Sequence, residues 1–321
     1  GKGAGMRFYF ALNGYENYYS NLGTKNAGTL AIADMTSNYD RRSPLIAELS
    51  AFREWMRNGN DISQYKKEVD VWLNKNRVNK QSTSPEASAV WEKITKYKES
   101  GKKIIVVYGK VLCDLGVPYD GGPAHKDMYD WINHTVSASF GGSALILIKP
   151  HPHEKRPEIA RHLTEYLFDL IEVDVPENVV LMDNSWFNNN EITQVMDLGV
   201  LWNGTSCLEL GAAGIPVVMC AYHGRFDYPI EFYYPKSRTD YEKILSGKKN
   251  IKPEKHVDVE CQLLLKYMST EELAVKYKYA LRTATNDPVL APYWFDEDLE
   301  EFYSNGDVKV SKLADRFFQY D

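Results

Sequence analysis

The sequence predicts an α/β protein built on a doubly wound parallel sheet. Continuous apolar runs at 104–108, 144–148 and 199–202 have the composition of strands that are buried on both faces of such a sheet. Segments with helical spacing of apolar residues separate these runs, and a Gly or Pro follows each run closely. Strands that alternate with helices in this way form parallel sheets with right-handed crossovers.

The amino-terminal part of the chain predicts fewer strands than a complete doubly wound domain needs. Its patterns predict two strands and three helices, at 6–12, 28–33, 43–57, 61–76 and 85–100. We therefore expect an amino-terminal domain, residues 1–102, that is either reduced and largely helical or begins partway through a strand–helix repeat.

The rest of the chain predicts a sheet domain, residues 103–250, followed by helices in residues 251–321. Further elements of the sheet domain are predicted at 123–138, 157–170, 178–182, 190–194, 216–219 and 239–245. The terminal helices are predicted at 254–268, 270–284 and 307–318. We expect these helices to pack back across the two domains.

Two cationic or donor side chains follow the apolar run at 144–148. Lys149 and His151 leave this strand at its carboxyl end, which is the edge where open α/β sheets bind ligands. Pro150 and Pro152 flank His151 and restrict the backbone on both sides of it. The pattern favours an anion such as a phosphate at this edge, and a loop histidine that only packs against proline is the alternative.

A polar turn, Asn203-Gly204-Thr205-Ser206, follows the strand at 199–202 and opens a helix. Thr205 and Ser206 then stand at a helix N-terminus, where free N–H groups and the helix dipole favour an anion. Gly204 allows the backbone to approach that anion closely. A hydroxyl in this position also caps a helix that binds nothing. The convergence with the 149–151 segment predicts a phosphate site.

These two motifs resemble those in the carboxyl half of GT-B glycosyltransferases. Lys-x-His-Pro at 149–152 and Asn-Gly-Thr-Ser at 203–206, with Glu209 and a later Gly-x-Pro-Val, are most similar to the capsule-polysaccharide synthesis group that includes bacterial Kdo transferases. The resemblance extends over about 103–222. It implies a GT-B fold whose Rossmann-like carboxyl domain binds a nucleotide sugar. It also implies that His151, Thr205 and Ser206 hold the nucleotide phosphate and that Glu209 reaches the ribose.

The same resemblance extends to residues that could contact the sugar. Related Kdo transferases carry a Gly-Gln-x-x-x-Asp segment whose carboxylate acts at the anomeric carbon, and Asp114 matches that position. Lys110 stands where the group has Gln, so the sugar donor is left open. Arg225 could pair with a carboxylated sugar or a phosphate. A turn aspartate is the alternative for Asp114, and turn chemistry is our interpretation of Asp120.

The implied function is that of a glycosyltransferase acting on a nucleotide-sugar donor and a glycan or glycolipid acceptor. Within the group, the donor would be CMP-Kdo and the acceptor a growing bacterial surface polysaccharide, either capsule or O-antigen. A UDP-sugar transferase, a CDP-polyol-phosphate transferase or an epimerase of the same fold would carry similar motifs. A non-catalytic subunit that binds a nucleotide or a glycan is a hypothesis of a different class.

Composition excludes several other classes. The formal net charge of -6 argues against a general nucleic-acid binder, which needs a basic surface. The four cysteines show no CxxC spacing, which argues against structural zinc and a disulfide framework. Cys113, Cys207 and Cys220 lie in or beside predicted buried segments and are interpreted as core thiols in a reducing compartment. We expect a metal-independent reaction without a cofactor, because helix ends and cations can neutralise the leaving phosphate. No apolar stretch approaches ~20 residues. We expect a cytoplasmic location and leave peripheral contact with the inner membrane face open.

Overall fold

The structure is a computed structural model that contains a five-stranded parallel sheet and a three-stranded antiparallel sheet. The residues that it describes are 18–22, 29–34, 55–59, 84–112, 120–161, 163–222, 230–252, 256–267, 275–276, 296–308 and 311.

The parallel sheet confirms the predicted α/β class. Its strands are β3 (Ile104–Tyr108), β4 (Leu145–Lys149), β5 (Val179–Leu181), β6 (Leu198–Leu201) and β7 (Val217–Met219), and their spatial order is β5-β4-β3-β6-β7. The chain therefore runs outward from β3 to β5 and then crosses back to continue on the other side of β3. This reversal makes the sheet doubly wound, and it places a topological switch point between β3 and β6.

Burial on both faces explains why continuous apolar runs form these strands. Every residue of β3, β4 and β6 is buried. Alternate residues of β3 enter different hydrophobic clusters, with Ile104 and Val106 in one and Ile105 and Val107 in the other. This is the twofold alternation of a strand with a helical layer on each side.

The helices are α1 (Pro85–Glu99), α2 (Met128–Ala138), α3 (Pro157–Ala160), α4 (Asn189–Val195), α5 (Ser206–Ala212), α6 (Arg238–Leu245), α7 (Val257–Tyr267) and α8 (Asp296–Asn305), together with a 3₁₀ helix at Leu167–Leu170. Helix α1 begins at Pro85 as predicted, and the Ser84 hydroxyl accepts from the Ala87 N–H at 3.1 Å. Helix α2 begins at Met128 rather than near 123. The reason is local, because Asp127 is its N-cap and accepts from the Asp130 N–H at 2.7 Å.

Two predicted helices are wrong. The segment 157–170 contains only α3 and the 3₁₀ helix, because Leu167 is fully buried and its N–H donates to Glu154 instead of continuing a helix. The segment 270–284 contains β8 (Val275–Lys276), which pairs antiparallel with β2. Sheet pairing here overrides a weak helical pattern.

The antiparallel sheet has the order β1-β2-β8, with β1 at Tyr18–Leu22 and β2 at Thr29–Asp34. Strand β2 matches the prediction at 28–33, whereas β1 and helix α8 were not predicted. The predicted strand at 6–12 and the helix at 61–76 lie outside the described residues, as do most of the predicted helices at 43–57 and 307–318.

Cys207 and Cys220 are buried, as predicted for core thiols, and Cys261 is buried as well. Cys113 lies outside the described residues. Among the helices of the described ranges, none combines the length and the apolar character needed to cross a lipid bilayer.

Candidate functional site

Three adjacent strands end level with one another at the carboxyl edge of the parallel sheet. Tyr108, the last residue of β3, pairs with Lys149 of β4 on one side and with Leu201 of β6 on the other. The residues that the sequence singled out follow these ends directly. The fold therefore brings Lys110, His151 and Asn203 to one edge, as predicted from the ends of parallel strands.

A buried polar cluster, which consists of Lys110, Asp120 and Asn203, occupies the switch point between β3 and β6. The Lys110 Nζ lies 2.9 Å from Asp120 Oδ2, and the Asn203 Nδ2 donates to the same oxygen at 2.8 Å. The exposed fractions of the three residues are only 7%, 2% and 5%. Asp120 is therefore the centre of a buried ion pair, a role that our interpretation of it as a turn aspartate did not include.

The cluster leaves one amide oxygen without a partner. A carboxylate only accepts hydrogen bonds, so the Asn203 side chain must turn its NH₂ toward Asp120. Its Oδ1 is then buried and makes no hydrogen bond. Buried polar atoms are nearly always paired, so this oxygen is an exception at the edge where open α/β sheets bind ligands.

The Gly204-Thr205-Ser206 turn adopts the unusual backbone that the sequence suggested. Gly204 has φ of 124°, a conformation that favours glycine. Thr205 is the N-cap of α5, but its side chain makes no capping hydrogen bond. The expectation that this hydroxyl caps the helix is therefore wrong. At the other end, Gly214 with φ of 75° follows α5 as a helix-ending glycine.

Lys149 is not a solvated loop lysine, because only 6% of it is exposed. Its Nζ donates to the Phe187 carbonyl oxygen at 3.1 Å. Burial lowers the pKa of Lys149 to about 8, and the nearby Glu191 carboxylate opposes this shift. The ammonium form still predominates at neutral pH. The edge thus holds a second buried cation besides Lys110.

His151 is oriented by its own loop. The His153 backbone N–H donates to His151 Nδ1 at 3.1 Å, and the two rings meet edge to face at 4.8 Å between centroids. Since Nδ1 accepts, a neutral His151 ring carries its proton on Nε2. His151 therefore presents an N–H donor, as its predicted role requires.

Glu209 is partly buried rather than fully exposed on its helix. Burial raises its pKa, and its charge adds to the burial that raises the pKa of Tyr108 at the end of β3. The carboxyl group of Glu209 is thus close to the carboxyl edge of the sheet. That location agrees with a side chain that accepts from a ligand hydroxyl.

Two predicted site residues, Asp114 and Arg225, lie outside the described residues. Among the residues that are described, no group of three or more His, Cys, Asp or Glu side chains is arranged to hold a metal ion. Independence from metal and cofactor remains a prediction.

The sequence analysis missed a buried carboxyl group beside the His151 loop. Glu154 is 3% exposed and accepts from the Leu167 N–H at 3.3 Å. Burial raises its pKa to about 7. The position of Glu154 close after the Lys-x-His-Pro motif could have indicated it, because carboxyl groups with perturbed pKa values cluster at functional sites.

A chain of titratable side chains was also missed. The Glu242 carboxylate lies 3.1 Å from His134 Nε2, and His134 Nδ1 lies 2.8 Å from His125 Nε2. The carboxylate fixes both tautomers, because each ring must donate through Nε2. His125 Nδ1 is then a buried acceptor without a partner. No sequence spacing links these three residues.

No family model and no curated protein sequence matches the chain. Eleven solved chains match it in structure. One is KpsC of Thermosulfurimonas dismutans, described as a β-Kdo 2,7 transferase, with a TM-score of 0.38 and 16% sequence identity over 77% of this chain and 67% of that chain. At this level of similarity the likeness carries no argument about the present site.

Proposed function

We propose that the protein is a glycosyltransferase that binds a nucleotide sugar at the carboxyl edge of its parallel sheet. The observation that carries this proposal is the buried cluster of Lys110, Asp120 and Asn203 at the switch point between β3 and β6. Open α/β sheets bind ligands at such points. The unpartnered Asn203 oxygen, together with the motifs that resemble GT-B enzymes, supports a nucleotide-sugar ligand.

The chemistry of sugar transfer explains why cations and donors gather at this edge. When the glycosidic bond to the nucleotide breaks, negative charge develops on the leaving phosphate. Lys149, the Nε2–H of His151 and the Thr205–Ser206 turn would neutralise that charge. Glu209 would accept from a ribose hydroxyl. Fixed groups of this kind need no reorganisation during the reaction, which is how they lower the barrier.

The reacting sugar would lie beyond the phosphate. Asp114 would face its anomeric carbon, either as the nucleophile of a double displacement or as a base. Lys110 and Arg225 would contact the sugar. The proposed donor is CMP-Kdo, and the proposed acceptor is a glycan or glycolipid of a bacterial surface polysaccharide. Work on such an acceptor is compatible with a cytoplasmic protein that contacts the inner membrane face.

The first test is nucleotide binding to the full chain. Binding is measured as the shift in Tm that CMP, CDP, UMP, UDP or ADP produces. A ligand at ~100 times its Kd stabilises the native state by about 2.7 kcal/mol, which shifts Tm visibly. We expect His151→Ala to lose this shift, because it removes an N–H donor to the phosphate. His153→Ala is the matched control and should retain it. No shift with any nucleotide would contradict the proposal.

The second test separates an enzyme from a binding subunit. Release of nucleotide from CMP-Kdo is measured for the wild type and for Asp114→Asn, with UDP-sugars and CDP-polyols as alternative donors. We expect the variant to bind donor and to lose turnover by at least about 10³-fold. Turnover that is equal in both proteins would exclude Asp114. Binding without turnover of any donor would identify a non-catalytic subunit.

A further inference from the structure

Glu154 links the turn that carries His151 to the rest of the carboxyl edge. Its backbone N–H donates to the His151 carbonyl oxygen at 3.0 Å, which closes the turn after β4. Its side-chain Oε1 accepts from the Leu167 N–H at 3.3 Å. Only 3% of Glu154 is exposed, so little solvent competes for the side-chain bond. One buried residue thus holds the His151 turn to the 3₁₀ helix at Leu167–Leu170.

Leu167 continues this connection to the end of β3. Its side chain is fully buried and packs against Gly109, where it leaves no room for a Cβ. Gly109 directly follows β3, and its N–H donates to the Lys149 carbonyl oxygen at 2.9 Å. Lys149 is the last residue of β4 and stands just before the His151 turn. The contacts therefore form a closed ring that begins and ends at β4, with Glu154 as one of its members.

The side chain of Glu154 supplies an acceptor that the 3₁₀ helix itself lacks. Leu167 is the first residue of this helix, and the first N–H groups of a helix have no acceptor within it. A buried N–H without a partner is costly, and the bond to Glu154 removes this cost. A substitution that deletes the acceptor would therefore release the His151 turn from the helix.

The hydrogen bond of Glu154 can be separated from its charge. Burial raises the pKa of Glu154 to about 7, although the Leu167 N–H lowers it; Asp169 raises it and Lys155 lowers it. Near neutral pH the carboxyl group is therefore present in both its neutral and its charged form. Glutamine has nearly the shape of the neutral acid and keeps an oxygen that can accept from Leu167.

We propose that Glu154 is a positioning residue, which holds the His151 ring in the orientation that receives the nucleotide phosphate. This role rests on the proposed function, because there the His151 Nε2–H donates to that phosphate. Within the turn that Glu154 closes, His151 Nδ1 accepts from the His153 N–H at 3.1 Å. That bond fixes the tautomer only while the turn keeps its shape. Glu154 thus preorganises a donor whose orientation would otherwise cost free energy on binding.

The first measurement is the state of the His151 ring in the full chain without ligand. Protein labelled with nitrogen-15 at histidine is studied by NMR at pH 8, and His151→Ala identifies the signals of His151. We expect the wild type to show a protonated Nε2 and an unprotonated Nδ1. Glu154→Leu, which removes the acceptor, should show a mixture of tautomers, whereas Glu154→Gln should restore the wild-type signals. Glu165→Leu is the matched control, because this glutamate is exposed in the same segment.

The second measurement is the affinity for CMP and UDP, determined by calorimetry. Glu154→Leu should weaken nucleotide binding by about tenfold, because an unfixed donor must be ordered on binding. Glu154→Gln and Glu165→Leu should bind as the wild type does. In the background of His151→Ala, Glu154→Leu should cause no further loss, since a residue that acts through another has no effect in its absence. Where Glu154→Leu lacks native circular dichroism, Glu154→Asp replaces it, because the shorter side chain does not reach Leu167.

Two results would overturn the inference and leave the proposed function in place. One is a Glu154→Leu variant whose nucleotide affinity and His151 signals equal those of the wild type. The other is a loss of affinity in Glu154→Leu that is equally large with and without His151, which would make Glu154 a structural residue only. If neither nucleotide binds the wild type, the proposed function fails and the role in phosphate binding fails with it. The NMR spectra then decide separately whether Glu154 orients His151.

Discussion

Asp120 accepts from Lys110 and from Asn203 through the same carboxylate oxygen. Oδ2 lies 2.9 Å from Lys110 Nζ and 2.8 Å from Asn203 Nδ2, and the Asp120 side chain is completely enclosed. A buried ion pair adds little net stability relative to an apolar replacement, but removal of one partner is costly because the other charge stays buried. Asp120 is thus a residue whose loss the fold tolerates badly.

We therefore predict that Asp120→Asn lowers the free energy of unfolding by about 3 kcal/mol. The amide introduced at position 120 can still accept a hydrogen bond from Asn203. The loss of stability therefore comes from Lys110, whose charge stays in a buried site without the Asp120 carboxylate. Urea unfolding monitored by circular dichroism measures the change.

The double variant Lys110→Met, Asp120→Asn is the control for this explanation. It removes the buried ammonium as well, so it should be more stable than Asp120→Asn alone. A double variant that is less stable than the single one would show that the ion pair is not the source of the effect.

Part of this site could be predicted at the level of single residues. Lys149, His151 and Asn203 follow strands that continuous apolar runs reveal, so their common edge could be inferred. The contact between Asp120 and Asn203 could not be inferred, because the two residues are 83 positions apart and no local pattern records it. The His125–His134–Glu242 chain was missed for the same reason.

At the scale of elements, helix α5 is positioned by close contact with α7. A Cβ on Gly211 would lie 2.5 Å from the Sγ of Cys261, which is nearer than real Cβ atoms approach. Cys261 belongs to the fully buried part of α7. The absence of a side chain at Gly211 thus fixes the distance between the helix that follows the Thr205 turn and its neighbour.

We predict that Gly211→Ala destabilises the protein by about 1 kcal/mol or more. Overpacking of a dense core costs about 1–3 kcal/mol. The better helix propensity of Ala offsets about 1 kcal/mol of that cost. The free energy of unfolding from a urea titration is the measurement. In the background of Cys261→Ala, where the sulfur is absent, Gly211→Ala should instead be neutral or stabilising. Equal losses in both backgrounds would exclude the Gly211–Cys261 contact as the cause.

The elements themselves were predictable where burial alone determines them. Strands β3, β4 and β6 are apolar throughout because both faces are covered, and the structure gives them nearly the predicted bounds. Helix boundaries depended on side chains such as Asp127, whose capping bond begins α2 later than its apolar pattern suggests. The predicted helix at 157–170 is wrong because Leu167 is buried in the core against Gly109. The sequence pattern of the segment itself does not show that contact.

At the scale of the whole molecule, the buried histidines make stability depend on pH. Burial, together with the neighbouring His134, lowers the pKa of His125 from 6.5 to about 4. Between these values the unfolded chain binds a proton that the native chain excludes, so acidification favours unfolding. This contribution to stability is present above pH 6.5 and is lost progressively as the pH falls toward 4.

Glu154 acts in the opposite direction over this range, because burial raises its pKa to about 7 and the native chain holds a proton that the unfolded chain releases. We predict that His125→Gln removes the contribution of His125, so that the free energy of unfolding falls less, or rises more, between pH 6.5 and pH 4.5 than in the wild type. Glutamine removes the titrating ring and retains an amide that can donate toward His134. Urea titrations at each pH give the slope of the free energy of unfolding against pH. The same variant at pH 8 shows how much stability is lost through changed packing alone. An unchanged slope would mean that His125 does not contribute to acid sensitivity.

The cluster around Asp120 also determines when the site comes into existence during synthesis. One member of the cluster, Asn203, follows β6. This strand can pair with β3 only after β4 and β5 have been synthesised and the chain has crossed back. Contacts of such long sequence separation form late, because loop closure must precede them. A nascent chain that ends before β6 has no complete site, so a nucleotide that binds there would favour finished molecules alone.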